Sequence, residues 1–378
     1  MKKYLIHIAV FLLMLTPASH AAYIDTDAEV AVVIDGHTGK VLFSKDKDKK
    51  TYPASMTKIM TTLIIFEKLA NETLSLDDKF LVSEKAWRER EGSSMFVEVD
   101  KEIRVEDLLR GIIVQSGNDA CIVVAETRAG TEESFAKMKT QKAIEIGMKN
   151  TNFTNSTGMY DKDNYSTVYD IALLSMHLIN EYPQYYHLFA ETEFEWSGIK
   201  QNNRNSLLYK NMGVDGLKTG HLSKSGYGLA ASAVDQNRRV ISVVNGFEST
   251  QKRTQGSSRL ITWAFREFTN LKLFEKEDIV GQVEISGASS KESDVSTGEE
   301  IIITVPKSKR DGLTTNIVVD ENISAPLNAG DKVGYLEISV PGEENQTYEL
   351  YATNEIDRSN IFVRFFNYLI NLILSLFN

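Results

Sequence analysis

The sequence has very little cysteine: one residue, Cys121, in a chain of 378. A single cysteine excludes an intrachain disulfide, so stability in an oxidising compartment has to come from packing alone. Cys121 falls in an apolar helical run and is predicted to be a small buried core residue. Positive charge is scarce as well, because 42 lysines and arginines face 52 aspartates and glutamates, a formal net charge of −10. So acidic a chain argues against a nucleic-acid-binding protein. The sequence also has no internal repeat and no low-complexity tract.

The first residues contain an apolar run, but it is too short to span a membrane comfortably. Lys2 and Lys3 precede the apolar residues 4–16, and Pro17 and the tripeptide Ser19-His20-Ala21 follow. This order predicts a secretory signal peptide, residues 1–21, cleaved after Ala21. Its removal takes away two positive charges, so the formal net charge changes from −10 to −12. The remaining 357 residues are enough for a large core and predict two domains.

Five Ser-x-x-Lys pairs occur in the sequence, and one of them stands in a setting suited to catalysis. Residues 52–54, Tyr-Pro-Ala, break regular structure before Ser55, and an apolar-rich run without glycine or proline follows over residues 56–69. The pattern predicts a helix that begins at Ser55 and places Lys58 on the same face. The free N–H groups of a helix N-terminus also suit an anion that forms beside the nucleophile. Four copies lack this setting: Ser44/Lys47, Ser134/Lys137, Ser197/Lys200 and Ser249/Lys252.

Ser55 and Lys58 are residue types that nucleophilic catalysis can use as a pair. A serine hydroxyl is a poor nucleophile until a neighbouring base takes its proton. Lysine is such a base only when its pKa falls well below about 10.4, which burial and a second cation can bring about. Lys218 is predicted to supply that cation if its strand lies beside the Ser55 helix.

Two further short motifs complete the predicted site. Ser116-Gly117-Asn118 separates two apolar helical runs, so it forms a loop tip that can hold a hydroxyl and an amide over a cleft. The hydroxyl of Ser116 suits a proton relay, and the amide of Asn118 suits a substrate backbone carbonyl. Lys218-Thr219-Gly220 precedes the strand-like residues 227–234. Its glycine lets a substrate backbone approach the strand closely, and its lysine and threonine offer donors to a carboxylate.

With their flanks, these motifs resemble the low-molecular-mass penicillin-binding proteins that act as D-alanyl-D-alanine carboxypeptidases. The likeness covers nearly the whole chain and its joint specificity is high. It runs through Tyr52-Pro53-Ala54-Ser55-Met56-Thr57-Lys58, Gly92-Ser93-Ser94-Met95, Gln115-Ser116-Gly117-Asn118-Asp119-Ala120-Cys121, Asn203-Arg204-Asn205 and Val214-Asp215-Gly216-Leu217-Lys218-Thr219-Gly220-His221, and ends near Leu260-Ile261-Thr262-Trp263.

The resemblance implies a role for each matching position. Ser55 attacks the carbonyl between the two terminal D-alanines of a peptidoglycan stem peptide, Lys58 is the base, and water hydrolyses the resulting acyl-enzyme. The backbone N–H groups of Ser55 and His221 form the oxyanion hole, and Ser116 carries a proton. The remaining implied binding residues orient the substrate or hold its terminal carboxylate: Asn118, Lys218, Thr219, Gly220 and Arg253.

The resemblance also implies the partners and the location of the protein. The substrate is a peptidoglycan stem pentapeptide, β-lactams inhibit by forming a slowly hydrolysed ester on Ser55, and neither a cofactor nor a metal is needed. The location is the periplasm, on the outer face of the inner membrane. Three alternatives stay open: a DD-endopeptidase, a β-lactamase-like hydrolase and a non-catalytic wall-binding scaffold. The lactamase needs an acid that activates water, and no separate carboxylate motif suits that role.

The predicted fold is α/β, in the α+β sense, with two parts and a terminal helix. The first part, residues 22–276, is a penicillin-binding, β-lactamase-like transpeptidase domain with an antiparallel sheet flanked by helices. Two short hairpins support that sheet, one around residues 35–39 and one around residues 235–238. Residues 277–354 form a small all-β domain with strands over residues 279–285, 300–305, 315–319, 332–340 and 347–352. Residues 286–298 are predicted to be a loop.

Residues 355–378 are predicted to form an amphipathic helix that lies on a membrane surface. Polar residues recur on one helical stripe, at Asn360, Arg364, Asn367, Asn371, Ser375 and Asn378. A spanning helix does not need a continuous polar stripe, whereas a helix in the headgroup plane does. A true span and a helix that docks within the protein are the alternatives.

Overall fold

The computed structural model describes residues 23–89, 91–289 and 292–360. These residues form two compact units, each described here by itself. The large unit contains residues 24–274 and 300–304, and the small unit contains residues 275–299 and those from 305 onward. The predicted signal peptide, residues 1–21, and residues 361–378 of the predicted terminal helix lie outside the described residues. Within the described ranges, no helix has both the length and the hydropathy required to cross a membrane.

The large unit combines helices with an antiparallel sheet. Its strands are β1 (Val30–Asp35), β2 (Val41–Lys45), β3 (Lys79–Leu81), β4 (Glu102–Arg104), β5 (Glu193–Trp196), β6 (Ile199–Asn202), β7 (Val214–Leu222), β8 (Gly226–Asp235), β9 (Arg238–Phe247) and β10 (Phe268–Phe274). Its α-helices are α1 (Lys58–Ala70), α2 (Glu84–Arg88), α3 (Val105–Ile113), α4 (Asn118–Ala129), α5 (Glu132–Glu145), α6 (Val168–Glu181), α7 (Pro183–Tyr186) and α8 (Thr250–Glu267).

The main sheet has the order β2-β1-β9-β8-β7. Every residue of β1 is buried, as expected for a strand that has neighbours on both sides. Strand β7 lies at one edge of this sheet and pairs antiparallel with β8, so that Lys218 lies opposite Ala230 and His221 opposite Tyr227. An edge strand keeps one row of backbone groups available for another extended chain. The Lys-Thr-Gly motif therefore lies where a peptide can add to the sheet.

Helix α1 is buried along most of its length, because its residues from Lys58 to Phe66 are all buried. The sequence predicted this helix from Ser55, but the chain first makes a 3-10 turn, Ala54–Thr57, and the α-helix begins at Lys58. The backbone hydrogen bonds of this turn join residues three apart, from the Met56 N–H to the Pro53 oxygen at 3.1 Å and from the Lys58 N–H to the Ser55 oxygen. Ala54 within the turn has a left-handed φ of 50°. Ser55 therefore lies on a tight turn at the entrance to the helix.

Side-chain caps fix the first turns of two other helices. The Thr167 hydroxyl accepts a hydrogen bond from the N–H of Asp170 at 3.0 Å at the start of α6. At the start of α8 the Ser249 hydroxyl accepts one from the N–H of Lys252 at 3.1 Å. Arg253 therefore lies in the first turn of α8.

The small unit contains one five-stranded antiparallel sheet of order β11-β12-β16-β15-β14. Its strands are β11 (Ile279–Val283), β12 (Ser293–Thr297), β14 (Thr314–Val319), β15 (Lys332–Ser339) and β16 (Gln346–Ala352). The predicted loop over residues 286–298 is wrong in its second half, because β12 pairs with both β11 and β16. This short strand is polar along much of its length, so cross-strand pairing rather than intrinsic propensity creates it. Strand β13 (Ile301–Pro306) pairs with β10 instead of joining this sheet.

Candidate active site

The Ser55 turn and the first residue of α1 bring a hydroxyl and an amine together. Lys58 Nζ lies 3.1 Å from Ser55 Oγ, 2.7 Å from Asn118 Oδ1 and 2.6 Å from the backbone oxygen of Thr157. Three acceptors around one nitrogen fix its position relative to the serine. The predicted contact between Ser55 and Lys58 is therefore present in the structure.

The other four Ser-x-x-Lys lysines have different partners. Each of them forms an ion pair with a carboxylate: Lys47 with Asp48, Lys137 with Glu133, Lys200 with Glu193 and Lys252 with Glu248. In each of these copies a carboxylate engages the amine, whereas the partners of Lys58 Nζ are the oxygen atoms of Ser55, Asn118 and Thr157. The contacts separate Lys58 from these four copies as clearly as the sequence setting does.

Burial changes the acid–base character of Lys58. Its side chain is 1% exposed, and the loss of water around the charged form lowers its pKa from 10.5 to about 8. The Arg204 guanidinium lowers the pKa further, while Cys121 and Asp119 act in the opposite direction. A substantial fraction of Lys58 is therefore neutral near physiological pH and can accept a proton from Ser55.

The Ser116 loop forms a second wall of the site. Ser116 has a left-handed backbone with φ of 62°, which is strained for a residue other than glycine. Its hydroxyl is buried and has no hydrogen-bond partner among the described residues. A strained backbone that presents an unsatisfied buried hydroxyl is typical of a functional position.

Asn118 follows at the first position of α4, and its side chain is held at both ends. Its Oδ1 accepts from Lys58, and its Nδ2 donates to the backbone oxygen of Glu91 at 2.8 Å. The next residue, Asp119, accepts from the backbone N–H groups of Met95, Phe96 and Val97. One end of α4 thus orders both the base and the loop of residues 91–97.

Strand β7 forms the third wall. A Cβ atom on Gly220 would lie 2.8 Å from the backbone oxygen of Pro53, so glycine permits β7 to approach the Ser55 turn. Lys218 is 3% exposed, and burial first, then the charges of Lys58 and Arg204, lower its pKa well below 10.5. The charge of Lys58 thus acts on the pKa of Lys218, whereas the main cation that lowers the pKa of Lys58 is Arg204 and not the predicted Lys218. The ring of His221 stacks on that of Tyr227 with 3.9 Å between centroids. Because the ring is engaged in this contact, the backbone of His221 is the group that β7 can present to a substrate.

Two arginines border the end of the site near α8. Arg253 is 4% exposed, burial lowers its pKa to about 10, and its Nε has no hydrogen-bond partner among the described residues. Its Nη2 donates to the backbone oxygen of Arg204 at 3.4 Å. Arg204 in turn donates from Nη1 to the Ser93 hydroxyl. The two guanidinium groups therefore place positive charge at this end of the site, and the Nε of Arg253 remains available as a hydrogen-bond donor.

These walls enclose a cleft of about 590 Å³. Seven of the nine predicted site residues line it: Ser55, Ser116, Asn118, Thr219, Gly220, His221 and Arg253. The other two, Lys58 and Lys218, are buried behind the wall. Within the described ranges, no group of three or more histidine, cysteine, aspartate or glutamate side chains is arranged to hold a metal ion. Cys121 is fully buried, as predicted.

Comparison of the chain with known proteins identifies the family to which it belongs. The family model of D-alanyl-D-alanine carboxypeptidase matches residues 16–249, more than half of the chain. The chain belongs to the D-alanyl-D-alanine carboxypeptidase family. A second model, the C-terminal domain of penicillin-binding protein 5, matches residues 268–358 of this carboxypeptidase.

Individual relatives agree with both matches. D-alanyl-D-alanine carboxypeptidase DacA of Haemophilus influenzae is 32% identical over 356 residues, which cover 93% of this chain and 91% of the relative. D-alanyl-D-alanine carboxypeptidase DacF of Bacillus subtilis is 35% identical over 326 residues, which cover 84% of this chain and 82% of the relative. The crystal structure of penicillin binding protein 5 from Haemophilus influenzae has a TM-score of 0.84 at 32% identity and covers 90% of this chain and 100% of that chain.

These findings confirm the predicted family and fold class of the carboxypeptidase, with a mixed α/β part and an all-β C-terminal part. They also establish the enzyme class, a serine-type peptidase of the penicillin-binding kind that hydrolyses a D-alanyl-D-alanine bond. The predicted start of the terminal helix at residue 355 is wrong, because residues 355–360 are extended and Ile356 and Arg358 bridge to Leu327 and Ala288. Residues 361–378 of that helix lie outside the described residues.

Sequence reasoning about the carboxypeptidase missed several residues of the cleft. Arg204 lines it together with Gly92, Ser93, Gly158, Met159 and Tyr227. The segments around Arg204 and Ser93 were part of the resemblance, so their residue types were a usable signal. Gly158 was not, although a Cβ atom there would lie 1.9 Å from the backbone oxygen of Ala54. The backbone oxygen of Thr157 binds Lys58, and a carbonyl contact of this kind has no signature in the side-chain sequence.

Proposed function

We propose that the carboxypeptidase removes the terminal D-alanine from peptidoglycan stem pentapeptides through an acyl-enzyme on Ser55. The observation that carries the proposal is the Ser55–Lys58 pair: 3.1 Å between Oγ and Nζ, with the pKa of the amine lowered to about 8. A buried amine whose pKa lies close to neutral pH can take the proton of an adjacent serine hydroxyl and so activate the serine as a nucleophile.

The first half of the reaction forms one bond and breaks another. Ser55 Oγ bonds to the carbonyl carbon between the two D-alanines while Lys58 takes the hydroxyl proton. The C–N bond then breaks, and the leaving amine receives a proton through Ser116, whose hydroxyl has no other partner among the described residues. Water adds to the ester in the second half and releases the shortened peptide and free Ser55.

Charge in the transition state falls on the carbonyl oxygen and needs donors. We assign this role to the backbone N–H groups of Ser55 and His221, on the two facing walls of the cleft. Gly220 supports the assignment, because the absence of a side chain lets β7 approach the Ser55 turn. Asn118, which already holds Lys58, retains one amide hydrogen that can bind a substrate carbonyl.

The terminal carboxylate of the substrate belongs at the positive end of the cleft. Lys218, Thr219 and Arg253 supply its donors, and the Nε of Arg253 has no hydrogen-bond partner among the described residues. β-Lactams carry a carboxylate next to a strained amide, so they fit the same end of the cleft and acylate the same serine.

Export and membrane attachment complete the proposal. Residues 1–21 direct secretion to the periplasm, residues 22–276 perform the chemistry, and residues 277–354 hold the active site away from the membrane or bind a partner. Residues 361–378 anchor the protein on the outer face of the inner membrane through hydrophobic burial. Deletion of residues 361–378 is expected to release the protein from washed membranes into the soluble fraction. A deletion variant that stays membrane-bound would contradict the anchor.

Intact-mass spectrometry after incubation with penicillin tests the chemistry. One penicillin mass is expected on the wild type and none on Ser55→Ala. Ser134→Ala, which alters the exposed serine of another Ser-x-x-Lys copy on α5, is the matched control and keeps the adduct. In parallel, wild type releases D-alanine from a pentapeptide. Rapid penicillin turnover would indicate a lactamase instead, cleavage of cross-linked dimers a DD-endopeptidase, and full biological rescue by Ser55→Ala a non-catalytic scaffold.

A further inference from the structure

A cluster of two tyrosines and one lysine lies beside the cleft, in which Tyr160 and Lys224 are exposed and Tyr52 is half-buried. Lys224 Nζ donates to the Tyr160 hydroxyl at 2.8 Å and lies 4.1 Å from the centroid of the same ring. The Tyr160 ring, whose residue is 44% exposed, meets that of Tyr52 edge to face at 5.1 Å between centroids. These three residues are called the rim cluster here.

All three chain segments of the rim cluster continue directly from the walls of the cleft. Tyr52 precedes Ser55 by three residues, and Tyr160 follows Gly158 and Met159, which line the cleft. Lys224 comes two residues after Leu222, another cleft residue, in the turn between β7 and β8. Because three chain segments with residues that line the cleft lead to it, the rim cluster lies at one end of the cleft.

The direction of the substrate follows from the proposed function, on which this inference rests. Lys218 and Thr219 hold the terminal carboxylate, and the scissile carbonyl lies between Ser55 and His221. The carboxyl end therefore lies toward the start of β7, and the substrate runs antiparallel to the strand. Residues before the scissile bond pass His221 and Leu222 at about 3.3 Å each and reach the turn that carries Lys224.

We propose that the rim cluster binds a carboxylate that the stem peptide carries on the amino-terminal side of its D-alanyl-D-alanine end. Lys224 supplies the cation and Tyr160 a hydroxyl, which together make charge-assisted hydrogen bonds to an anion. Among the described residues, no carboxylate lies within ion-pair distance of Lys224, in contrast to lysines 47, 49, 137, 200 and 252. The neighbouring Asp161 carboxylate accepts the N–H of Asp163 at 2.7 Å.

The electrostatics of Tyr160 agree with this role. The hydrogen bond from Lys224 lowers the pKa of the Tyr160 phenol, and a more acidic phenol is a stronger donor to a carboxylate. The site is exposed to solvent, so its contribution is modest and sensitive to salt. The rim cluster thus serves to select acidic stems rather than to perform chemistry.

Two pentapeptides that differ at one group test the proposal. Both end in D-alanyl-D-alanine; one carries a D-isoglutamate carboxylate at the second position, and the other has that carboxylate converted to the amide. The measured quantity is the ratio of kcat/KM for the acid to kcat/KM for the amide. Wild type prefers the acid, and Lys224→Met lowers the ratio about fivefold, mainly through KM. Lys224→Arg retains the preference, and Tyr160→Phe lowers the ratio about twofold.

Controls separate the rim cluster from general effects of charge. Lys137→Met removes an exposed lysine that lies outside the cleft and keeps the wild-type ratio. Added salt lowers the ratio for wild type more than for Lys224→Met. An unchanged ratio in Lys224→Met, or an equal loss on both peptides, overturns the inference. Release of D-alanine from both peptides at equal efficiency by wild type also overturns it, whereas absence of both D-alanine release and a penicillin adduct overturns the proposed function instead.

Discussion

The two units of the carboxypeptidase differ in the polar groups that they bury. The large unit buries several charged side chains, among them Lys58, Lys139, Lys218, Arg253 and Asp119. In the described part of the small unit, the buried polar residues are three with hydroxyl groups: Ser296, Thr297 and Ser359. Burial of a charge costs free energy unless partners compensate. The large unit therefore carries a cost in stability for its buried charges that the described part of the small unit does not carry.

Two buried hydroxyls without hydrogen-bond partners, one in each unit, illustrate the difference between the units. Ser116 Oγ in the large unit and Thr297 Oγ1 in the small unit are both buried, and neither has a hydrogen-bond partner among the described residues. An unsatisfied buried hydroxyl destabilises a fold by about 1–3 kcal/mol. Ser116 also has a strained backbone and lines the cleft, whereas Thr297 lies at the end of β12. Under the proposed function, the same unsatisfied hydroxyl has a catalytic role in the large unit and none in the small unit.

The largest expected effect comes from removal of the base. Lys58→Met keeps the length of the side chain but leaves Ser55 with no group to take its proton, so penicillin acylation is expected to fall at least about a thousandfold. The measurement is the second-order rate of acylation by a fluorescent penicillin. Lys139→Met is the matched control, because it replaces another fully buried lysine that lies outside the cleft. A comparable loss in both variants would show that the Lys58 effect is structural.

Loss of the Ser116 hydroxyl is expected to have the next largest effect. Ser116→Ala lowers the acylation rate about a hundredfold, because the proton path to the leaving amine is broken. The free energy of unfolding stays the same or rises, since the unsatisfied hydroxyl is gone. Stopped-flow acylation and denaturant unfolding are measured on the same preparation. Reduced stability together with normal acylation would reverse the interpretation of this residue.

The sequence was informative where the active site depends on local spacing. Ser55 and Lys58 are three residues apart, so one helical turn brings them together whatever the rest of the chain does. The approach of Lys218 to Lys58 depends on where an edge strand lies relative to α1, which spacing does not encode, so the sequence predicted it only on the condition that the strand lies beside the helix. Strand β12 was missed because its polar residues resemble a loop until β11 and β16 pair with it.

Lys139 was missed for a different reason. It lies on α5, a polar helix, where a lysine ordinarily faces solvent. Its side chain is instead fully buried, and Nζ donates to the backbone oxygens of Asn155 and Ser156 at 3.1 Å and 3.3 Å. The next carbonyl along the chain, that of Thr157, binds Lys58. Only the tertiary packing of α5 against this loop shows that the lysine is enclosed.

Buried lysines predict how the stability of the large unit depends on pH. Burial lowers the pKa of Lys139 from 10.5 to about 7 and that of Lys58 to about 8. Between pH 7 and pH 9 the unfolded chain therefore binds more protons than the folded chain, so the free energy of unfolding rises with pH. Each group contributes up to about 1.4 kcal/mol per pH unit. This prediction applies up to pH 9, because burial raises the pKa of Cys121 to about 11. Above pH 9 the thiol loses its proton more readily in the unfolded chain, which lowers the free energy of unfolding as the pH rises.

Lys139→Met tests this dependence. The variant removes the contribution of one buried amine, so its unfolding free energy is expected to rise less steeply than that of wild type over the same window. Denaturant unfolding at several pH values gives the two slopes. Lys137→Met, which alters an exposed lysine on the same helix, is expected to retain the wild-type slope. If the free energy of unfolding had the same slope against pH in wild type and Lys139→Met, the pKa of Lys139 would not change on folding.

The smallest effect is expected in the small unit, at Thr297. Thr297→Val replaces the buried, unpartnered hydroxyl with a methyl group of nearly the same volume, so the packing of β12 against β16 is retained. Stability is expected to rise by up to about 1 kcal/mol, because the desolvated hydroxyl is removed without a cavity. Penicillin acylation stays within twofold of wild type, since Thr297 is not part of the cleft. If acylation fell as it does in Ser116→Ala, the small unit would have a part in catalysis, and the division between a reactive unit and a structural unit would fail.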